Sequence, residues 1–269
     1  MDDMIIDGDE IDAGLLFGAF RSALWFPRYR VGACGAWRVR VMQQPAVRGY
    51  WGTVYRVAGT VMLTGPSRDN AEVWMSVTPM EVESQEIGIA AAHGHTVVLG
   101  LGMGWATANI ALNPAVERVT VVERDRDIVA LVDALGIFAQ LPDAARHKID
   151  IVVDDALTWR PDIPVDSLQA DIWLNVVEPQ KWNDVRRMCD NIRPASLYFW
   201  GQEMELWRLA CRAVRQVPDI LTPAMLDAAI VDCGVPLVTA EGPDYAARIT
   251  TGAPWWTPRT SDWWRIEAS

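Results

Sequence analysis

Short runs of alternating apolar and polar residues fill the first part of the chain, and the pattern changes near residue 79. Trp37-Arg38-Val39-Arg40-Val41-Met42, Gly52-Thr53-Val54-Tyr55-Arg56-Val57 and Thr60-Val61-Met62-Leu63-Thr64 are separated by Gly and Pro, which predicts hairpin strands. Glu72 to Met75 adds another short strand. Upstream, the apolar segment Ala13 to Phe26 stops at Pro27 and predicts a short helix packed on the body. From Pro79 to Ala92 apolar positions recur at helical spacing, and Pro79 suits a first helical turn.

Strand, turn and helix then alternate, the signature of a parallel sheet. The expected strands are Thr96–Leu99, Arg118–Glu123, Ile149–Val153, Ala170–Val176 and Ser196–Trp200. Helices are expected from the glycine turn after Leu99 to near Pro114, over Asp127–Leu135 with Gly136 as stop, over about Gln180–Ile192, and over Glu203–Val217. Residues 79–217 therefore read as a doubly wound α/β domain. Residues 1–78 form an amino-terminal segment with a β-hairpin domain, and 218–269 a carboxy-terminal helix and Trp-rich tail. In the tail, Pro223 to Cys233 reads as a helix ended by Gly234, and Val235 to Val238 has the composition of an added strand.

Composition narrows the classes. The 269 residues carry a net charge of −11 and no cluster of Lys and Arg, which argues against a nucleic-acid partner because phosphate contacts need basic residues. Cys34, Cys189, Cys211 and Cys233 lie far apart without a C-x-x-C pair, so reduced thiols and a cytoplasmic location are expected. The acidic start is unlike a signal peptide, and no apolar run approaches the roughly 18 residues of a membrane span. No membrane partner is expected. There are 14 Trp, more than the five Tyr and five Phe together. Trp255, Trp256, Trp263 and Trp264 fall in a tail too apolar to hang free, so it should dock on the body, cover a pocket or make a dimer contact.

Candidate chemistry starts at Val97-Val98-Leu99-Gly100-Leu101-Gly102-Met103-Gly104, a strand entering G-x-G-x-G at a helix start. Glycine lets the backbone turn tightly and lets a ligand approach. The dinucleotide fingerprint needs a glycine where this chain has Trp105, which argues against NAD or FAD. Glu123 ends the next strand, where a carboxylate can accept from both ribose hydroxyls. Asp125 suits a helix cap. After the third strand, Asp154-Asp155-Ala156 offers an acceptor for an adenine amino group beside a small residue, or a cap for the next turn. Together these describe an adenosine site. His93-Gly94-His95 reads as a solvated turn, and no metal site is expected.

These residues resemble the S-adenosylmethionine (SAM) site of class I methyltransferases, and more closely the spermidine synthase branch. Val61-Met62-Leu63-Thr64 resembles a strand of that branch's amino-terminal β-domain. Asn175-Val176-Val177-Glu178-Pro179 stands in the place of its D-S-S-D-P loop, and Trp200-Gly201-Gln202-Glu203 resembles its Q-G-E segment. The likeness covers roughly residues 50–207. It implies a Rossmann-like SAM-binding sheet with a small β-rich domain in front. It further implies SAM as co-substrate, held by Gly100, Gly102, Gly104, Glu123, Asp155 and Ala156.

The first Asp of that loop helps deprotonate the attacking amine in spermidine synthases, and Asn175 cannot take a proton. Methyl transfer asks less of a protein, because the sulfonium is already activated and positioning can suffice. The expected function is therefore a SAM-dependent methyltransferase acting on a small molecule. Asn175 would orient the acceptor, Glu178 would act as base or cation binder, and Trp105 would wall the sulfonium side. The alternatives are aminopropyl transfer, or another attack on the aminocarboxypropyl carbon with release of methylthioadenosine, and a non-catalytic nucleoside-binding protein. A homodimer is compatible with the tail.

Overall fold

A computed structural model of the chain describes residues 4–66, 72–242, 244–258 and 263–265. Seven strands come first: β1 (Ile5–Asp12), β2 (Arg28–Cys34), β3 (Trp37–Met42), β4 (Ala46–Arg48), β5 (Val54–Arg56), β6 (Thr60–Gly65) and β7 (Glu72–Val77). Five of them make an antiparallel sheet in the order β1-β2-β3-β6-β7, and β4 pairs with β5 as a separate hairpin. Alternation does the sorting: in β3, Trp37 and Val39 are buried while Arg40 is exposed. Every residue of β6 is buried, so this strand is covered on both faces.

The second sheet is parallel. Its strands are β8 (Gly94–Leu99), β9 (Val116–Glu123), β10 (Ile149–Val153), β11 (Ser167–Ala170) and β12 (Ser196–Phe199), in the order β10-β9-β8-β11-β12. The helices are α1 (Pro79–Ala91), α2 (Trp105–Leu112), α3 (Arg126–Ala134), α4 (Asp143–Arg146), α5 (Lys181–Ile192), α6 (Gln202–Val214), α7 (Pro223–Cys233) and α8 (Asp244–Trp256). The expected α/β class, with a Rossmann-like parallel sheet and an antiparallel sheet before it, is what the chain forms. Strand order reverses between β8 and β11, and such a switch point opens a crevice at the carboxyl ends of the strands. Register puts Leu99 beside Ala170 and Val122, so the loops that follow open along one edge.

The two sheets share a core. Trp37, Val39 and Leu63 belong to one apolar cluster with Ile128, Leu131 and Val132 of α3 and with Val119 and Val121 of β9. Trp37 also donates its indole N–H to Asp125 Oδ2 at 2.7 Å. The amino-terminal sheet is thereby fixed as a wall against the edge where the strands end.

Several elements differ from expectation. The segment 13–26 forms only a 3₁₀ turn, Ala13–Phe17, because Gly18 takes φ +60° and breaks the helix there. The fourth parallel strand ends at Ala170, not Val176. Its supposed continuation is drawn out of the sheet by the Lys181 ammonium, which takes the carbonyls of Asn175 and Val176 at 3.0 and 2.8 Å. The helix α8 contains Gly252 and Pro254, which hide it in the sequence; Pro254 falls in its last turn, and the helix ends at Trp256. Val235 to Val238 joins β12 through a single parallel bridge, Leu237 to Leu197. Among the described residues, all four cysteines are free and no helix is long and apolar enough to cross a membrane.

The expected docking of the tail is what the structure has, as far as its described residues go; 259–262 lie outside them. Trp263 and Trp264 are buried in a cluster with Leu206 and Trp207 of α6. Trp256 stacks on Tyr50 and donates its N–H to the Tyr50 carbonyl at 2.7 Å.

Candidate functional site

The glycine turn needs its glycines. Gly100 has φ +94°, and a Cβ there would stand 2.2 Å from the Asp171 carbonyl oxygen. Gly102 has φ +53°, and a Cβ would meet the sulfur of Met75, to which Met103 donates its N–H. The turn is thus squeezed between the β11 loop and β7 of the other sheet, and only a chain without side chains passes. Above it lies a cleft of about 270 Å³.

Five of the six expected SAM-binding residues line that cleft: Gly100, Gly102, Glu123, Asp155 and Ala156. Gly104 lies outside the lining and starts α2 with φ +78°. Glu123 accepts from the Leu101 N–H with one oxygen, at 2.9 Å, and from the Asp125 N–H with the other, at 2.8 Å. A carboxylate has about four acceptor positions, so each oxygen keeps one for a ligand. Asp155 accepts from the Leu157 N–H at 2.9 Å, so it caps its turn as well as lining the cleft. Asp154 is not on the lining. Asp125 accepts from the Asp127 N–H at 2.9 Å and is the helix cap that the sequence suggests. Trp105 borders the cleft, but it is fully buried, donating its N–H to the Trp25 carbonyl and stacking on Phe26. Its N–H and one ring face are spent on packing.

A second, more open cavity of about 500 Å³ adjoins the cleft and shares Trp74, Met75, Glu81, Asp171 and Trp173 with it. Its other walls include Trp200 and, from the tail, Trp255 and Trp256. The shared carboxyls are joined by one amide. Gln85 donates from Nε2 to Asp171 at 2.7 Å and to Glu81 at 3.4 Å, and its Oε1 accepts from Gln169 at 2.6 Å. Burial pushes Glu81 up to about 8, helped by the charge of Asp171. Burial also raises Asp171, to about 6, against the attraction of Lys181 and the Gln85 hydrogen bond. Both carboxyls are thus held above the ordinary carboxylate range, Glu81 the further of the two. Trp74 Nε1 is buried without a hydrogen-bond partner on the wall common to both cavities, an unmet donor that a bound molecule can satisfy.

Because β11 stops at Ala170, the residue at the strand's carboxyl end is Asp171 rather than Asn175. Asn175 lies on the rim of the larger cavity, exposed, and gives both its backbone N–H and its Nδ2 to Glu178 Oε1, at 2.9 and 3.3 Å. Glu178 lines neither cavity and also accepts from Gln180. The sequence reading missed Glu81, Gln85 and Asp171. The strands β9 and β10 also have a carboxylate at their carboxyl ends, Glu123 and Asp154, and Asp171 stands at the same place after β11.

Lys181 supports the same loop from behind. It is fully buried, and its ammonium donates to the carbonyls of Asn175, Val176 and Trp200. It lies 4.8 Å from the Trp173 ring centroid and 5.0 Å from that of Trp200. Burial lowers its pKa to about 8, against the pull of Glu205 and Asp171.

No family model and no curated protein matches the sequence. Solved structures do resemble parts of it. One is the glycopeptide N-methyltransferase MtfA complexed with S-adenosyl-L-homocysteine, 20% identical, with 41% of this chain and 42% of that chain covered and a TM-score of 0.33. Another is a putative methyltransferase from Thermoplasma acidophilum, 26% identical over 40% of this chain and 43% of that one, with a TM-score of 0.31. The methyltransferase domain of bacterial CtHen1 is 17% identical over 44% and 65%, with a TM-score of 0.35. The chain spans less than half the length of the first methyltransferases it matches.

Proposed function

We propose that the protein is a SAM-dependent methyltransferase acting on a small molecule, with the nucleoside in the smaller cleft and the acceptor in the larger cavity. The observation that carries this reading is the gathering of Gly100, Gly102, Glu123, Asp155 and Ala156 along one cleft that opens directly onto Asp171 and Glu81. The groups fit the ligand chemically: Glu123 keeps acceptor positions for ribose hydroxyls, Asp155 for an adenine amino group, and Trp74 offers an unmet donor. When bound, SAM supplies a methyl group already activated on a sulfonium.

The chain's own part is positioning and proton handling. The turn between β11 and α5 carries Asp171 to the junction, where it faces both spaces. As the ionised member of the pair, Asp171 takes the proton that an acceptor N–H or O–H gives up as its lone pair bonds to the methyl carbon. The electron pair of the broken C–S bond remains on sulfur. Glu81, protonated at neutral pH, keeps a second negative charge away from the junction. Asn175 on the rim orients the acceptor, and Glu178 holds Asn175 in place.

A second reading has its own support. A carboxyl at the end of β11 is the kind of base that attack by an amine on the aminocarboxypropyl carbon requires, as in spermidine synthase-like aminopropyl transfer. Product analysis separates the two. The protein incubated with SAM and a pool of small amines should yield S-adenosylhomocysteine; release of methylthioadenosine instead would replace methyl transfer by the second reading.

A further inference from the structure

The larger cavity is chemically lopsided. Among the described residues that line it, Glu81 and Asp171 are the only ionisable groups, and both stand at the end that meets the cleft. The remainder is mainly apolar, with the indoles of Trp173, Trp200, Trp255 and Trp256 among its walls. An ammonium is the ligand group that a half-ionised, buried carboxyl pair holds best, because it restores the charge balance lost on desolvation. Aromatic walls then favour an apolar body behind that head.

The same walls disfavour a second cation. Trp173 and Trp200 already have the Lys181 ammonium within 5.0 Å of their ring centroids, and the Arg48 guanidinium lies 3.5 Å from that of Trp255. A second ligand charge placed among the indoles of Trp200 and Trp255 would stand beside a positive charge already lying on each ring. Linear diamines and longer polyamines therefore fit poorly.

We propose that the larger cavity takes a monocationic amine with an apolar, ring-sized body, its ammonium held by Glu81 and Asp171 and its body among Trp173, Trp200, Trp255 and Trp256. This rests on the preceding reading only in naming that amine as the acceptor, its ammonium first passing one proton to Asp171 and so freeing the lone pair that bonds to the methyl carbon; its binding can be measured alone. Phenethylamine, 2-phenylethanol and putrescine are the probes, titrated calorimetrically into the full chain with and without saturating S-adenosylhomocysteine. Phenethylamine should bind about tenfold or more tightly than either the neutral alcohol or the diamine. Asp171→Asn and, separately, Glu81→Gln should bring the amine-to-alcohol ratio towards one, a change that loss of folded protein alone does not produce. Trp256→Ala should weaken phenethylamine and 2-phenylethanol alike. Equal binding of alcohol and amine, tighter binding of putrescine, or no phenethylamine binding in either condition overturns the proposal. Failure of S-adenosylhomocysteine to bind overturns the nucleoside reading instead, and the titration without it still decides the cavity.

Discussion

The smaller cleft and the larger cavity meet at two carboxyls, yet they are built in opposite ways. Most of the chemistry in the first comes from residues just beyond the ends of β8, β9 and β10, each supported by its neighbour in a regular parallel sheet. The second is assembled from β7, α1, the loop after β11 and a distant helix that begins at Asp244, α8. A site laid on one sheet edge can be held by local hydrogen bonds. A site gathered from distant segments depends on whatever holds those segments together, which here is Lys181 for the loop and the Tyr50–Trp256 contact for the tail.

Substitutions can break that contrast, and the largest effect should come from the loop. Lys181→Met leaves three buried carbonyls without their donor and should cost about 3–5 kcal/mol of stability by urea unfolding. If the protein still folds, S-adenosylhomocysteine binding should survive better than binding in the larger cavity; equal losses would mean that the two sites are one mechanical unit. On the other side, Glu123→Ala and Asp155→Ala should each weaken S-adenosylhomocysteine by roughly 1–3 kcal/mol in calorimetry. Unchanged affinity in both would show the nucleoside to lie elsewhere.

The carboxyl pair gives a pH test. Glu81 is raised to about 8 in the folded chain from 4.5, so between those values the folded state holds a proton that the unfolded state has released. Stability from this group is therefore complete below about pH 4.5 and falls as pH rises towards 8. Glu81→Gln should flatten that fall in denaturant midpoints measured across the range, and an unchanged slope would remove Glu81 as its source. The smallest effect is expected at the tail: Trp256→Phe loses one hydrogen bond, to the Tyr50 carbonyl, and should cost about 1 kcal/mol. It should leave S-adenosylhomocysteine affinity unchanged.

The same contrast explains what could be read from the sequence. Four of the parallel strands, the glycine turn and the acidic residues at the ends of β9 and β10 are local patterns, and they stand within a few residues of where the chain suggests. The edge strand β1, Ile5-Ile6-Asp7-Gly8-Asp9-Glu10-Ile11-Asp12, gave no signal because acidic residues and a glycine interrupt its alternation. The fourth strand is expected at Ala170–Val176 and lies at Ser167–Ala170, because Ile172, Trp173 and Leu174 are apolar for walling cavities and packing on Lys181 and Phe199, not for a place in a ladder. Asn175, expected from its place in the loop that resembles D-S-S-D-P, lies beyond the residue that follows the strand, Asp171. Neither Glu81 nor Gln85 could be recognised, since both lie on a helix whose partners come from β11 and its loop, and nothing local records that meeting.

Near the larger cavity, Glu203 is fully buried and accepts from the hydroxyls of Tyr50 and Tyr245, at 2.9 and 2.8 Å. It joins the loop between β4 and β5, the start of α6 and the start of α8. During synthesis these parts emerge in a fixed order, and α8 comes last. A nascent chain that has passed Trp173 already possesses every described segment that lines the smaller cleft, while the larger cavity still lacks the walls that α8 supplies. On the proposed reading, the place of the nucleoside is synthesised before that of the acceptor is closed.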